Sequence, residues 1–490
     1  MKEYLKDKRM NKSILAVALM LTMGTGLGLA QETKEKLTPE QQLTQEYFTL
    51  AFQKKDSVGA AKTKAKIMKK YPHGTFARRE TAEHLDMSSP EAYVKGADAF
   101  RKNFPISEYI AHPDNQGYVY VNFYNAYSRF LFKQKMYDRL EEVMKEMSFD
   151  MLVDLYRHSV MFYIMKAPID PKSYVDIAEK MTQEMIAKAP VRIDFYGDGK
   201  KVDASQQLQT LNYYLAVETE ILQRSGRNED AVSCLNRIAD PQVRYNQYPQ
   251  GNEAYVNALL ALGRNDEAVK GMEGAASTGL MTKNLTAMLR SHYDNANPKP
   301  AATWDAYLNS LKSPAYLENL KANVMQGMVD EPYTPWTMKS IKDTEVSSAS
   351  FGKDDIIVLD FWATWCAPCI AALEGMQMAV NKYKNDPHVH FYFVDTQDVP
   401  DDKQGPTRVW KRKGYSFDDM LVLFDNTTPG KKNMNLVYKT MFHGTSGIPQ
   451  KAILKNGRLR YRAEGYGGSP SGLEDEIAAV IDILKAEGNE

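Results

Sequence analysis

The chain has 490 residues, too many for one ordinary domain, and its 43% apolar content can fill more than one core. The 62 basic residues balance 62 acidic ones, so no overall field recruits nucleic acid or an anionic membrane. Three cysteines are too few for a disulfide-stapled scaffold, and two of them are spaced Cys-x-x-Cys, a spacing kept for chemistry.

The first segment is basic, then apolar, then small. Lys2, Lys6, Lys8, Arg9 and Lys12 precede an apolar run from Ile14 to Met23, and Gly28 and Ala30 close it. This order is expected of a secretory signal peptide over residues 1–30, cut ahead of Gln31. Met10 offers a second start with an adequate basic flank. No cysteine lies nearby to take a lipid, and no other run is apolar enough to span a bilayer.

Residues 31–330 read as an all-α, helical-repeat-like domain. Apolar residues recur three and four apart, as in Tyr137 to Met147, and breakers such as Tyr71-Pro72-His73-Gly74 and Tyr248-Pro249-Gln250-Gly251 separate the segments. The stretch Gly226-Arg-Asn-Glu-Asp-Ala231-Val232 returns 37 residues later as Gly263-Arg-Asn-Asp-Glu-Ala268-Val269. In each copy a glycine ends one helix and acidic residues open the next, where they suit its positive end. A small alanine five residues on lets the paired helices approach. The motif is similar to the helix-turn-helix of tetratricopeptide-like repeats; unrelated helical hairpins account for it equally well.

The texture changes at Asp330-Glu331-Pro332-Tyr333-Thr334-Pro335, where two prolines mark a boundary. Strand-like runs follow at Ile356–Trp362, Val389–Val394, Met420–Phe424 and Lys451–Leu454, with helical segments after Cys366 and over Leu473–Ala486. Alternating strands and helices predict an α/β domain over 331–490. Lys455-Asn456-Gly457-Arg458 predicts a two-residue hairpin turn.

The chemistry centres on Asp360-Phe361-Trp362-Ala363-Thr364-Trp365-Cys366-Ala367-Pro368-Cys369. A buried strand ends and a helix begins here, so Cys366 falls at a helix N-terminus, where orphan N–H groups and the dipole favour a thiolate. Cys369, one turn along, can attack a mixed disulfide formed on Cys366. A zinc site is the competing reading of the spacing. Cys234 is the only other cysteine, His388, His390 and His443 could serve as further ligands, and the strand-then-helix setting favours redox chemistry.

The run Phe361 to Cys369 resembles the active site of thioredoxins, and more closely that of the exported TlpA/ResA-like thiol-disulfide oxidoreductases. The resemblance covers about residue 331 to the C-terminus. It implies a thioredoxin-like fold with Cys366 and Cys369 as the exchanging pair and Asp360 as a buried proton acceptor. It also implies a cis-proline loop at Ile448-Pro449 that receives substrate backbone, a contact surface at Trp365, and Gly465 ahead of the final helix. Three positions depart from the family. Ala367-Pro368 replaces the Glu-Pro of some cytochrome-maturation reductases, Glu374 stands where proline is frequent, and Gln450 follows Pro449 where threonine is common.

The function expected is thiol-disulfide exchange with client proteins, without a cofactor and without nucleic acid. The resemblance implies a reductant regenerated by a membrane electron donor in a periplasm; secretion alone also fits an extracellular place. The rival reading is a helical protein-binding module that carries a redox-sensitive attachment. Cys234 is expected to be a buried apolar residue.

Overall fold

The computed structural model describes residues 37–166, 169–191, 193–195, 204–400, 402–443 and 447–487. The expected signal peptide, residues 1–30, lies outside them. The chain divides into two compact units, Met1–Val119 and Tyr120–Glu490.

The first unit is helical. Its helices start on the residues that capping chemistry demands. Thr38 opens Pro39–Phe48 with a reciprocal bond to Gln41, Asp56 opens Ser57–Lys70, and Ser89 opens Pro90–Asn103 with proline just inside. The expected turn at Tyr71–Gly74 separates Ser57–Lys70 from Thr75–Glu83.

The second unit begins as helices and ends as a sheet. The repeated motif forms two helix–turn–helix pairs, Ala204–Arg224 with Asn228–Asn236 and Pro249–Ala261 with Asn265–Ser277. Gly226 and Gly263 take positive φ at the turns (85° and 73°), and Ala231 and Ala268 are fully buried where the paired helices meet. Cys234 is buried, its Sγ 3.4 Å from the Leu215 carbonyl, and burial pushes the thiol up to about 12.

The sheet has eight strands: β1 (Met328–Pro332), β2 (Thr337–Ser340), β3 (Glu345–Ser347), β4 (Ile356–Trp362), β5 (Val389–Asp395), β6 (Leu421–Phe424), β7 (Gln450–Lys455) and β8 (Arg458–Glu464). Their order is β1-β8-β7-β4-β5-β6-β2-β3. β4, β5 and β6 run parallel, while β7 pairs antiparallel with β4 and β8. The expected α/β layer is therefore present, and β4 is central and buried along its whole length, apolar except at Asp360. The hairpin turn between β7 and β8 forms as expected, with Asn456 and Gly457 both at positive φ.

Three short strands carry no sequence signal. The last helix before the sheet ends at Gly327, and Asp330 to Pro332 lie within β1, paired with β8. Proline is accommodated there because β1 is an edge strand with no further ladder to feed. β2 and β3 are too short for period-two alternation to register.

Two apolar layers sandwich the sheet. On one face Ile356, Val358 and Trp362 pack against the cysteine helix (Ala367–Tyr383) and the last helix (Pro470–Ala486). On the other, Ile357, Leu359 and Phe361 meet Val437, Tyr438, Met441 and Phe442. The helices before the sheet dock on the first layer: Val324 belongs to its core, with Leu320 packed against it. The seam is also polar. Lys312 Nζ and Tyr316 Oη each reach a carboxylate oxygen of Asp475 at 2.7 Å. Met281 N–H donates to Ser471 Oγ at 3.0 Å, and Ser469 and Ser471 both donate to the Gly279 carbonyl.

Candidate active site

β4 ends at Trp362, and Ala363-Thr364-Trp365 turns the chain into the cysteine helix, for which Cys366 is the N-cap. The Cys369 N–H donates to Cys366 Sγ at 3.3 Å, satisfying one orphan donor of the first turn. Pro368 sits in that turn, where a missing N–H costs nothing. The two cysteines form a disulfide with Cα atoms 5.3 Å apart. Cys369 is fully buried and Cys366 is 4% exposed, so of the two residues only Cys366 meets the surface. Trp365 beside it is 61% exposed.

The loop before β7 faces the disulfide. The Ile448–Pro449 bond is cis, and the Ile448 carbonyl oxygen lies 3.7 Å from Cys366 Sγ. Pro449 O accepts the N–H of Gly465, which takes φ 84°. Gln450 is buried and its amide nitrogen donates to the Gly447 carbonyl at 3.1 Å, so the residue that replaces threonine holds the loop from beneath.

Asp360 alternates with Val358 and Trp362 along β4 and so points to the cysteine-helix side of the sheet. It is fully buried, and neither carboxylate oxygen has a hydrogen bond. The nearest cation is Lys451 Nζ at 3.7 Å, itself 1% exposed and directly opposite Asp360 in the β4–β7 ladder. Burial raises the Asp360 carboxyl above its ordinary range, and Lys451 pulls it partly back. Sequence reading missed Lys451 as a site residue. The available signal was a lysine two residues before Ile453, on the same strand face as that core residue.

A second acid group steadies the turn ahead of Cys366. Asp398 accepts the Thr364 N–H at 2.8 Å. Asp395, buried at the end of β5, is pushed up to about 9 by burial and by the neighbouring Asp398. Asp425 accepts the Val437 N–H at 2.8 Å and the Thr396 hydroxyl at 2.9 Å. None of these was singled out from the sequence, because their partners come from separate strands and loops.

Glu374 has a defined task. Its carboxylate accepts the Lys283 N–H at 2.8 Å, in the first turn of the helix Lys283–Asn295, and Lys283 Nζ reaches Gln377 at 2.8 Å. At Gly375 a Cβ would lie 2.6 Å from the Pro470 carbonyl oxygen, so only glycine lets the last helix start this close.

Among the described residues no group of three or more His, Cys, Asp or Glu side chains is placed to hold a metal ion. Among them, too, no helix is long and apolar enough to cross a membrane.

The sequence profile of the thioredoxin family matches residues 338–405, which span β4, both cysteines and β5. No curated protein matches the chain. Among solved structures, a thiol:disulfide interchange protein of the thioredoxin family from Chlorobium tepidum is 18% identical, covering 31% of this chain and 97% of its own, with a TM-score of 0.26. An uncharacterized thioredoxin-like protein from Porphyromonas gingivalis is 22% identical, covering 32% and 94%, with a TM-score of 0.25. StoA from Bacillus subtilis is 18% identical, covering 29% and 96%, with a TM-score of 0.23. The chain carries a thioredoxin domain with its Cys-x-x-Cys pair joined, the equipment of a thiol-disulfide oxidoreductase.

Proposed function

We propose that this thiol-disulfide oxidoreductase is of the exported TlpA/ResA-like kind and reduces disulfides of client proteins through Cys366, Cys369 and Asp360. The observation that carries the reading is Cys366 at a helix N-cap, bonded to a buried Cys369 and facing the cis Ile448–Pro449 loop. In the reduced protein the Cys366 thiolate attacks one sulfur of the client disulfide, and the other leaves as a thiolate that takes a proton from water. Cys369 then gives its proton to Asp360 and attacks the Cys366 sulfur, releasing the second client thiolate. Two electrons pass to the client, and the protein is left as the disulfide. Trp365, Ile448 and Pro449 receive the client backbone. Residues 331–490 form the redox module, 31–330 the helical one, and residues 1–30 direct export to the periplasm. A membrane electron donor restores the dithiol.

The deciding experiment is the reduction potential of the Cys366–Cys369 pair in dithiothreitol or glutathione buffers. A value at or below about −250 mV is expected of a reductant, whereas one near about −120 mV makes the protein a disulfide donor and overturns the direction.

Asp360 gives a pH-dependent prediction. Asp360→Asn should slow resolution of a Cys366 mixed disulfide by about 10²-fold near neutral pH, the usual worth of a positioned base. The deficit should shrink as alkaline pH ionises Cys369 without help. Stability should move in a linked way. Because burial raises the folded pKa, the wild-type carboxyl is best tolerated below its unfolded pKa, and stability falls as pH rises through the folded value. The asparagine variant lacks this loss, so its advantage in urea melts should grow as pH rises from the unfolded carboxyl's range through the folded value. A pH-independent difference sinks the assignment.

A further inference from the structure

We propose that the helix Gln404–Lys413 and the nearby loop at Lys431–Lys432 form a cationic docking surface for acidic segments of the client protein. The inference rests on the disulfide-exchange reading above and adds the chemistry by which a client is chosen. The chain as a whole is neutral, but residues 403–439 hold eight basic side chains against three acidic ones.

The charge is concentrated and unspent. Gly405, Pro406, Val409 and Trp410 are the buried side of the helix, which leaves Arg408, Lys411, Arg412 and Lys413 exposed. Among the described residues none of these four, nor Lys431 or Lys432, makes an ion pair. Nearby acids are engaged elsewhere: Asp343 with Lys339 and Lys403, Asp418 with Lys342, and Asp402 with the N–H groups of Gln404 and Gly405. Asp418 and Asp419 are both exposed on the following turn. Arg408, Lys411 and Arg412 stand at i, i+3 and i+4, so like charges face each other at a cost of a few tenths of a kcal/mol per pair, about 0.2–0.5. The helix dipole offsets this for the last turn, which holds Lys411, Arg412 and Lys413, but not for Arg408 or for the loop lysines.

The helix that carries these cations packs beside the cysteine turn through its buried side. A Cβ on Gly405 would lie 2.8 Å from Thr364 Cγ2, and the Trp410 ring is 5.0 Å from Trp362, so the helix packs along the turn that leads to Cys366. The two residues after the loop lysines are bonded to the segment that holds this turn. Asn433 donates to the Gln397 carbonyl at 3.0 Å and Met434 N–H to the Asp398 carbonyl at 3.1 Å, while Asp398 holds Thr364. Cations that flank a nucleophile raise the encounter rate with an anionic partner, by a factor of ten or more at low salt, on the order of 10–10³.

The test compares two synthetic disulfide peptides that differ only in flanking residues, Glu/Asp in one and Ser/Gln in the other, reduced by the dithiol form of the full chain. The acidic peptide should react about tenfold faster at low salt, and the ratio should fall toward one near 0.5 M salt, where the Debye length is only about 4–5 Å. Combining Arg408→Gln, Lys411→Gln and Arg412→Gln should bring the ratio close to one at low salt. Equal rates in the wild type, or an unchanged ratio in the triple variant, overturn the proposal. So does binding to phosphatidylglycerol vesicles with no preference between the peptides. A cysteine-free acidic peptide followed by fluorescence anisotropy separates the two readings. Salt-sensitive binding without reduction of either peptide leaves the surface standing and removes the redox reading; neither binding nor reduction removes both.

Discussion

Replacing Cys369 by serine should leave the protein covalently caught on its client, while Cys366→Ser should abolish exchange altogether. The asymmetry follows from exposure: Cys366 is 4% exposed and Cys369 fully buried, so a client disulfide can reach Cys366 first. A serine at 369 cannot attack the mixed disulfide at neutral pH, so turnover stops with the client still bonded to Cys366. A serine at 366 removes the thiolate on which the helix N-terminus acts, and the loss should exceed about 10³-fold, beyond the worth of a single positioned base. Non-reducing gels of each variant after exposure to a disulfide peptide separate the two cases. A trapped adduct on Cys366→Ser rather than on Cys369→Ser reverses the assignment of nucleophile and resolving thiol.

Asp475→Ala should be the most damaging single change at the seam between the helices and the sheet. Lys312 and Asp475 side chains are only 9% and 10% exposed, and Tyr316 Oη also depends on the same carboxylate. Removing the acid strands a buried ammonium and an unpartnered hydroxyl, a change that costs about 3–5 kcal/mol when a buried pair is broken from one side. Urea unfolding followed by fluorescence of Trp362 and Trp410, both in the apolar layer beside the seam, reads the loss. Pairing the change with Lys312→Met should restore most of the stability, because the charge that lacked a partner is then gone. A loss under about 1 kcal/mol, or no recovery in the double variant, shows that the pair is solvated and the seam loose.

What the sequence disclosed was local. The apolar run at Ile356–Trp362, the Asn456–Gly457 turn, the glycines of the helix–turn–helix repeats and the Cys-x-x-Cys spacing each carry their signal within a few residues, and each is found where expected. What stayed hidden depends on pairs distant in the chain. Lys451 matters because antiparallel pairing of β7 with β4 sets it opposite Asp360, and no local pattern fixes that register. Asp398 matters because a loop after β5 folds back on Thr364. Glu374 looked like a departure from a family pattern, and its reason lies 91 residues earlier, at Lys283. β1, β2 and β3 are short strands at the two ends of the sheet, and their residues carry no strand signal until a neighbouring strand supplies their hydrogen bonds.

The bond between Glu374 and Lys283 ties the cysteine helix to the helix Lys283–Asn295 of the same compact unit. A polypeptide held on that helix would therefore meet Cys366 across a set span. Its disulfide would arrive at an effective concentration set by geometry, in the millimolar range for short spans, about that of a tethered ligand. Such an arrangement discriminates by span. Two clients with identical disulfides and equal affinity for the helices would be reduced at different rates if their bound segments lay at different distances from the cysteine.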